Sequence, residues 1–289
     1  MSVEDQGVAR VIEKCSIPIA KWEEALSEFR NLMSNNVEWV FRGQGDSLWH
    51  LESSLERATD HHASKRNDAA RIENELINNF KRGIHQYIPS TELPDNELEW
   101  LSVMQHHGAP TRLLDFTFSA YIAAYFAFED CPRNEKETKR CVVWAIRRKW
   151  LCDKARGKIA GLVRSEGKDP DDIFNRPVIL WRSSSLFSSA FLNNGYQMVC
   201  PVNSYRVNRR QGLQQGLYLC PGDIRVGFLA NLLASGVHEI AENLKIFTFP
   251  VSLQEEALGD LARMNIRLDV LFPGIDGFAQ YHRVWTRYI

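Results

Sequence analysis

No stretch of this chain approaches the roughly 18 consecutive apolar residues of a membrane-spanning helix, which argues against a helical membrane protein. Cysteine is scarce and scattered. The six thiols, at positions 15, 131, 141, 152, 200 and 220, include no CxxC or CxxxC pair. A zinc site therefore lacks its ligand spacing, and a chain this long does not need a disulfide framework to hold a core. No metal is expected. An excess of one charge is missing as well: 35 Lys and Arg stand against 36 Asp and Glu, a formal net charge of −1. That balance excludes a protein whose whole surface neutralises nucleic-acid phosphates, though not a local basic patch. Met1 to Arg10 is polar and acidic, without the basic and apolar regions of a secretory signal. Internal repeats and low-complexity tracts are absent too. These absences lead to the expectation of a cytoplasmic protein in a reducing setting, with no membrane partner.

What remains is an ordinary globular composition, 44% hydrophobic over 289 residues, enough for a sizeable core. Trp22, Leu26, Phe29 and Met33 recur at helical spacing and predict an amphipathic helix over about 19–34, stopped by Asn35-Asn36. Val37, Trp39 and Phe41 then alternate with Glu38, Val40 and Arg42, a strand pattern running into Gly43-Gln44-Gly45. A polar bridge, Thr59 to Asn67, leads to a helix near 68–83. After a loop at Pro89–Pro94, Asp95 offers an N-cap for a helix carrying Leu98, Leu101 and Met104, which ends around Gly108-Ala109-Pro110. Ser119–Phe128 is apolar nearly all round, so it reads as a buried helix whose alanines admit close neighbours. Charged residues 133–140 read as a surface turn before a strand at Cys141–Ile146. The polar stretch 152–185 takes no firm assignment, and a lid and a surface insertion both fit it. Later strands are expected at Leu213–Leu219, Leu244–Val251 and Ile266–Phe272, with helices at about 223–235, 253–264 and 277–287. Short strands and helices without regular βα alternation favour an α+β fold, a small mixed sheet with surrounding helices. One domain over 1–289 is simpler than two.

Several polar residues stand where a site could form. Arg42 ends a predicted strand beside a glycine, where its guanidinium can clamp a phosphate or ribose, or pair with a buried carboxylate such as Asp115 or Glu99. Adjacent His106 and His107 close a helix and point about 100° apart, so one of them at most faces a shared cleft. They lack the i, i+4 spacing of a helical zinc pair. His106 is the better ligand donor or general base. Thr111, Arg112 and Asp115 crowd a short link between two apolar segments, where they either satisfy one another or converge on a ligand. Thr117 or Ser119 caps the next helix. Tyr218 is either a core aromatic or a stacking platform, and Asp276 caps the final helix or serves as a carboxylate.

Phe41-Arg42-Gly43-Gln44 resembles the motif for which the FRG domain family is named. The resemblance continues through Trp49-His50-Leu51 and Ser54-Leu55-Glu56-Arg57, and is most specific from Met104 through Gln105-His106-His107-Gly108-Ala109-Pro110-Thr111-Arg112-Leu113-Leu114-Asp115 to Thr117. Ala123-Ala124-Tyr125-Phe126-Ala127, Arg210-Gln211-Gly212-Leu213-Gln214-Gln215-Gly216 and Leu271-Phe272-Pro273-Gly274-Ile275-Asp276-Gly277 extend it more loosely to the C terminus. The family core is placed at about 37–146, with 186–289 completing the same fold. The resemblance implies a bacterial or phage-associated protein with a role in defence or toxicity.

A strand-borne arginine, a later Gly-x-Tyr strand and a late carboxylate are similar in outline to the ADP-ribosyltransferase fold. That likeness implies NAD as substrate, gripped by Arg42. Gly216 and Tyr218 would face nicotinamide, Asp276 would stand in for the acid, and the His106–Asp115 block would supply the acceptor side or the base. Gln44, Thr111, Arg112 and Gln215 complete the expected substrate contacts. No Glu-x-Glu or Gln-x-Glu stands on a late strand, a departure from the pattern. The alternatives are a non-catalytic module for a nucleotide or nucleic-acid end, with Trp49 stacking, and a hydrolase using His106 oriented by Asp115. A small nucleotide ligand and a macromolecular acceptor, protein or nucleic acid, are the expected partners.

Overall fold

A computed structural model describes residues 11–34, 39–60, 68–89, 93–131, 140–175, 181 and 184–285. Met1–Arg10, most of the polar bridge at 61–67 and the charged turn at 132–139 lie outside the described residues.

Seven strands form one mixed sheet in the order β1-β7-β4-β2-β3-β6-β5. They are β1 (Ser16–Pro18), β2 (Trp39–Gln44), β3 (Leu114–Thr117), β4 (Arg140–Arg147), β5 (Val199–Val202), β6 (Gly216–Pro221) and β7 (Leu244–Pro250). β1 joins β7 in parallel, and the other neighbours are antiparallel. The helices that matter for the site are α1 (Trp22–Ser34), α2 (Ser54–Asp60), α3 (Ala69–Ile84), α4 (Glu97–His106), α5 (Ala120–Glu129), α6 (Arg148–Ser165), α7 (Arg209–Leu213), α8 (Phe228–Ala234), α9 (Gln254–Arg263), α10 (Leu268–Leu271) and α11 (Ile275–Trp285). The α+β reading of the sequence holds.

Register decides what each face buries. Phe41 of β2 shares a face with Ala145 of β4 and Thr117 of β3, and with Gly43 and Val143 one step along. Helices α1, α5 and α9 cover that half with Trp22, Phe29, Phe128 and Leu261. Farther across the same face, Tyr218 and Cys220 of β6 and Cys200 and Val202 of β5 meet α3, α4 and α6 in a second cluster. The opposite face is a single cluster, in which Val40, Leu114, Trp144, Ile146, Leu217 and Leu219 pack with Trp150, Phe228 and Leu232. The two clusters on the first face stay separate, and the gap between them lies over β3.

The contact of β2 with α5 explains the local sequence. A Cβ on Gly43 would fall 1.9 Å from the Ala123 carbonyl oxygen and 2.5 Å from the Ala127 nitrogen, and one on Gly45 would fall 2.1 Å from the Asp130 carbonyl oxygen. One glycine on the strand, a second just past its end and the alanines of the helix thus let the backbones touch. α5 starts at Ser119, whose side chain accepts from the Ile122 N–H at 3.3 Å, the role its sequence position suits.

Several elements differ from the sequence reading. The strand expected at Ile266–Phe272 is instead a short helix, α10, which presents Leu268, Leu271 and Phe272 to the first cluster. A short apolar run fits either period, and packing chose the helical one. The strand expected from Leu213 begins at Gly216, because Asn208 caps α7 by accepting from the Gln211 N–H at 2.8 Å and Gln215, at φ 48°, turns the chain. Asn96, rather than Asp95, caps α4. The unassigned 152–185 stretch holds most of α6. Strands β1, β3 and β5, none longer than four residues, escaped the pattern.

Gly43→Ala should lower stability by about 3 kcal/mol, because neither backbone at the contact can yield easily. Gly157→Ala, on the open side of α6 with nothing within 4 Å of its Cβ position, should raise it by about 0.5–1 kcal/mol. Urea unfolding of both variants checks the contrast.

Candidate functional site

β2 and β3 pair at one position only, Phe41 opposite Thr117. Past it the strands part, and the Arg42 side chain bridges them: its Nη1 donates to the Asp115 carbonyl oxygen at 2.8 Å. Its Nε is buried with no hydrogen-bond partner. Burial lowers the Arg42 pKa, while Asp115 and Asp130 pull it back up. The group stays cationic at any physiological pH.

Arg42 lines a cleft of about 590 Å³ over β3, in the gap between the two apolar clusters. One wall carries Gly43, Asp115, Thr117, Glu129 and Asp130, and the other carries Arg210, Gln214, Leu268, Phe272 and Gln280. Burial raises the Asp130 pKa against the opposing pull of Arg42. The Arg210 guanidinium lies 4.3 Å from the centre of the Phe272 ring, a cation–π contact. Neither Arg42 nor Arg210 makes an ion pair among the described residues.

Asp115 is exposed to the cleft and its carboxylate is held in place. Thr111 Oγ1 donates to Gln105 Oε1 at 2.5 Å, and Gln105 Nε2 donates to Asp115 Oδ2 at 2.7 Å. Thr111 is itself buried, with its N–H donating to Ser54 Oγ at 3.0 Å and its carbonyl accepting from the Leu55 N–H at 3.0 Å. The Thr111 block thus acts on the cleft at second hand, by aiming an amide.

Two smaller cavities adjoin the cleft, and Arg210 lines both of them. One, of about 340 Å³, is lined by His106, Arg209, Pro273, Asp276 and Gln280. His106 has a lowered pKa, first through burial and then through the charges of His107 and Arg210. The other, of about 40 Å³, is lined by Gln105, His106, Gly216 and Tyr218. That is room for little more than one water, not for an aromatic ring. Tyr218 is 4% exposed and its hydroxyl shares a 2.9 Å hydrogen bond with Ser102. Burial pushes its pKa up to about 12.

The structure therefore gathers Arg42 and Asp115 at the cleft, with His106 and Asp276 in the adjoining cavity. Gln215 is exposed on the α7–β6 turn, its carbonyl accepting from the Phe118 N–H at 3.0 Å. Like Thr111 and Tyr218, Gln44 and Arg112 are buried and bonded to protein partners. Gln44 is buried: its Nε2 donates to the His50 carbonyl at 3.1 Å and its Oε1 accepts from Trp144 Nε1 at 2.6 Å. Arg112, 1% exposed, makes a bidentate pair with Glu73 of α3, in which Nε donates at 2.8 and 3.0 Å and Nη2 also donates. Its Nη1 donates to the carbonyl of Phe191 at 2.6 Å and, more weakly, to those of Pro221 and Gly222. A guanidinium two residues from a strand that reaches the cleft reads in sequence like a ligand contact, and only packing shows that it points inward. Arg210, Gln214 and Phe272 were legible as motif fragments but carried no assigned role. Their approach to Arg42 needs α7 and α10 folded over β3.

The FRG domain family model matches residues 37–136, and the chain carries an FRG domain. The match holds β2, α4, β3 and α5, hence the Arg42 and Asp115 wall, while the Arg210 wall lies beyond it. No curated protein and no solved structure matches the chain.

Arg112→Met should cost about 3–5 kcal/mol by leaving Glu73 charged and unpaired. Adding Glu73→Leu should recover only part of that loss, since three carbonyls still lack their donor. Thermal and urea unfolding of the single and double variants measure this. In a ¹H–¹⁵N titration of the imidazoles, His106 should lose its proton below the ordinary value of 6.5 and be neutral at pH 7. Its contribution to stability is then present above about pH 6.5 and is lost as the pH falls toward its lower folded-state pKa.

Proposed function

We propose that the cleft binds a nucleotide of the NAD type and breaks its ribosyl–nicotinamide bond, as an ADP-ribosyltransferase or NAD glycohydrolase. The observation that carries this reading is Arg42, a cation fixed between two parted strands with a buried, unpartnered Nε. A guanidinium so placed suits a phosphate or ribose oxygen. Arg210, over the Phe272 ring across the cleft, suits the second phosphate.

Asp115 takes the carboxylate role first considered for Asp276, because it lines the main cleft whereas Asp276 lines the side cavity. Held by Gln105, it stabilises positive charge developing on the ribosyl carbon as the C–N bond lengthens. Nicotinamide leaves neutral with the bonding electrons. Water or an acceptor oxygen then bonds to the ribosyl carbon, and its proton passes to solvent. The near-neutral net charge of the chain accords with a small nucleotide as the ligand of this cleft. A part in defence against phage, suggested by the family resemblance, belongs to the same proposal.

The test is NAD turnover followed by mass spectrometry, with and without DNA, RNA and lysate protein. The wild type should release nicotinamide. Asp115→Asn should lower kcat by about 100-fold or more, and Arg210→Ala should weaken binding by about tenfold. Intact NAD in every condition, despite saturable nucleotide binding, would leave a non-catalytic nucleotide module. Loss of both binding and turnover would remove the cleft reading altogether.

A further inference from the structure

The side cavity of about 340 Å³ shares Arg210, Phe272 and Gln280 with the main cleft, so occupants of the two would lie against one another. Its wall adds Arg209, which is exposed and makes no ion pair among the described residues. The segment leading into it is basic and exposes one ring and one aliphatic side chain: Tyr205 is 58% exposed, Val207 is 53% exposed, and Arg206 stands between them. Three arginines within the five residues 206–210 form a local concentration of charge in a chain whose net charge is −1. Two carboxylates oppose them. Asp95 pairs with Arg206 at 2.9 Å, and Asp276 lines the cavity. The Arg206–Asp95 pair is solvent-exposed on both sides, so it opens at little cost.

We infer that the Tyr205–Arg210 segment and the side cavity form a second binding surface, for a single strand of nucleic acid. The chemistry fits in three respects. Unpaired guanidinium groups take phosphates along the strand. The exposed edge of Tyr205 and the Arg210–Phe272 contact offer apolar surface to unstacked bases, which a duplex does not present. A concave pocket beside the main cleft admits one splayed base or a chain end, not a helix. The surface brings the strand to the edge of the nucleotide cleft, and in that juxtaposition alone it rests on the nucleotide reading.

The experiment is fluorescence anisotropy of labelled single-stranded DNA and RNA of about 12 nucleotides, with the matching duplexes, on the full chain at two salt concentrations. Single strands should bind more tightly than duplexes. Arg209→Glu should weaken single-strand binding by about tenfold and flatten its salt dependence. Lys149→Glu makes the same charge change on α6, at a residue with a 73% exposed side chain, and should leave binding within about twofold. Absence of binding by the wild type, equal losses in the two variants, or duplexes binding as tightly as single strands would each overturn the inference. Labelling of a protein in place of the oligonucleotide in the NAD experiment, with no strand bound, would overturn it too. Nicotinamide release is scored separately: its absence alongside intact strand binding defeats the cleft reading and spares this one. Release without strand binding does the reverse.

Discussion

A guanidinium with every donor group committed inside the protein holds the site in place. Arg112 stands two residues before β3 and ties that point of the chain to α3 through Glu73, to the helical segment Ser188–Leu192 through the Phe191 carbonyl and to the end of β6 through Pro221. Taking both charges out of water is expensive, and their mutual attraction offsets it only with good geometry and full hydrogen bonding. Here both conditions are met. The result is positional: with Arg112 anchored, β3 has one place to start, and Asp115 emerges three residues on with its side chain toward the gap between the two apolar clusters.

Against that anchor, the opposite side of the cleft is set by a steric device. Gly43 and Gly45 allow α5 to lie directly on β2, and the end of α5 then carries Glu129 and Asp130 into the cleft beside Arg42. An ion pair and a pair of missing side chains thus place the acidic and basic groups of one wall. Neither device touches a ligand. Both will nonetheless resist substitution as strongly as residues that do, so intolerance of change alone would not separate the two kinds.

The sequence disclosed the parts of this arrangement whose cause is local. The amphipathic period of α1, the cap at Ser119 (one of the two candidates), the alternation leading into β2 and the apolar run of β4 each depend on neighbours a few residues away, and all appear where expected. Strands β3 and β5 are short, and they owe their state to partners supplied by distant segments, so their own residues announce little. The site divides in the same way. Arg42, Asp115 and His106 could be picked out as polar groups in apolar company. Whether such a group faces in or out is a property of packing: Arg42 and Arg112 look alike on paper, yet one lines the cleft and the other closes the core. Arg210 was hidden for the opposite reason, since an arginine on a polar helix is ordinary until Phe272 is placed beneath it.

The order of strands across the sheet has a kinetic side. β3 sits between β2, which precedes it, and β6, which the chain reaches only about a hundred residues later, and the cleft needs Arg210 from just before β6 and Phe272 from well after it. Contacts between such remote segments form late, because the closure entropy of the long loops must be met before they are rewarded. A half-made chain lacks the Phe191 and Pro221 carbonyls that anchor Arg112 and the β6 strand that pairs with β3, so neither wall is fixed before the later segments arrive. The two walls of the cleft should therefore come together in one step, at the end of folding rather than along the way.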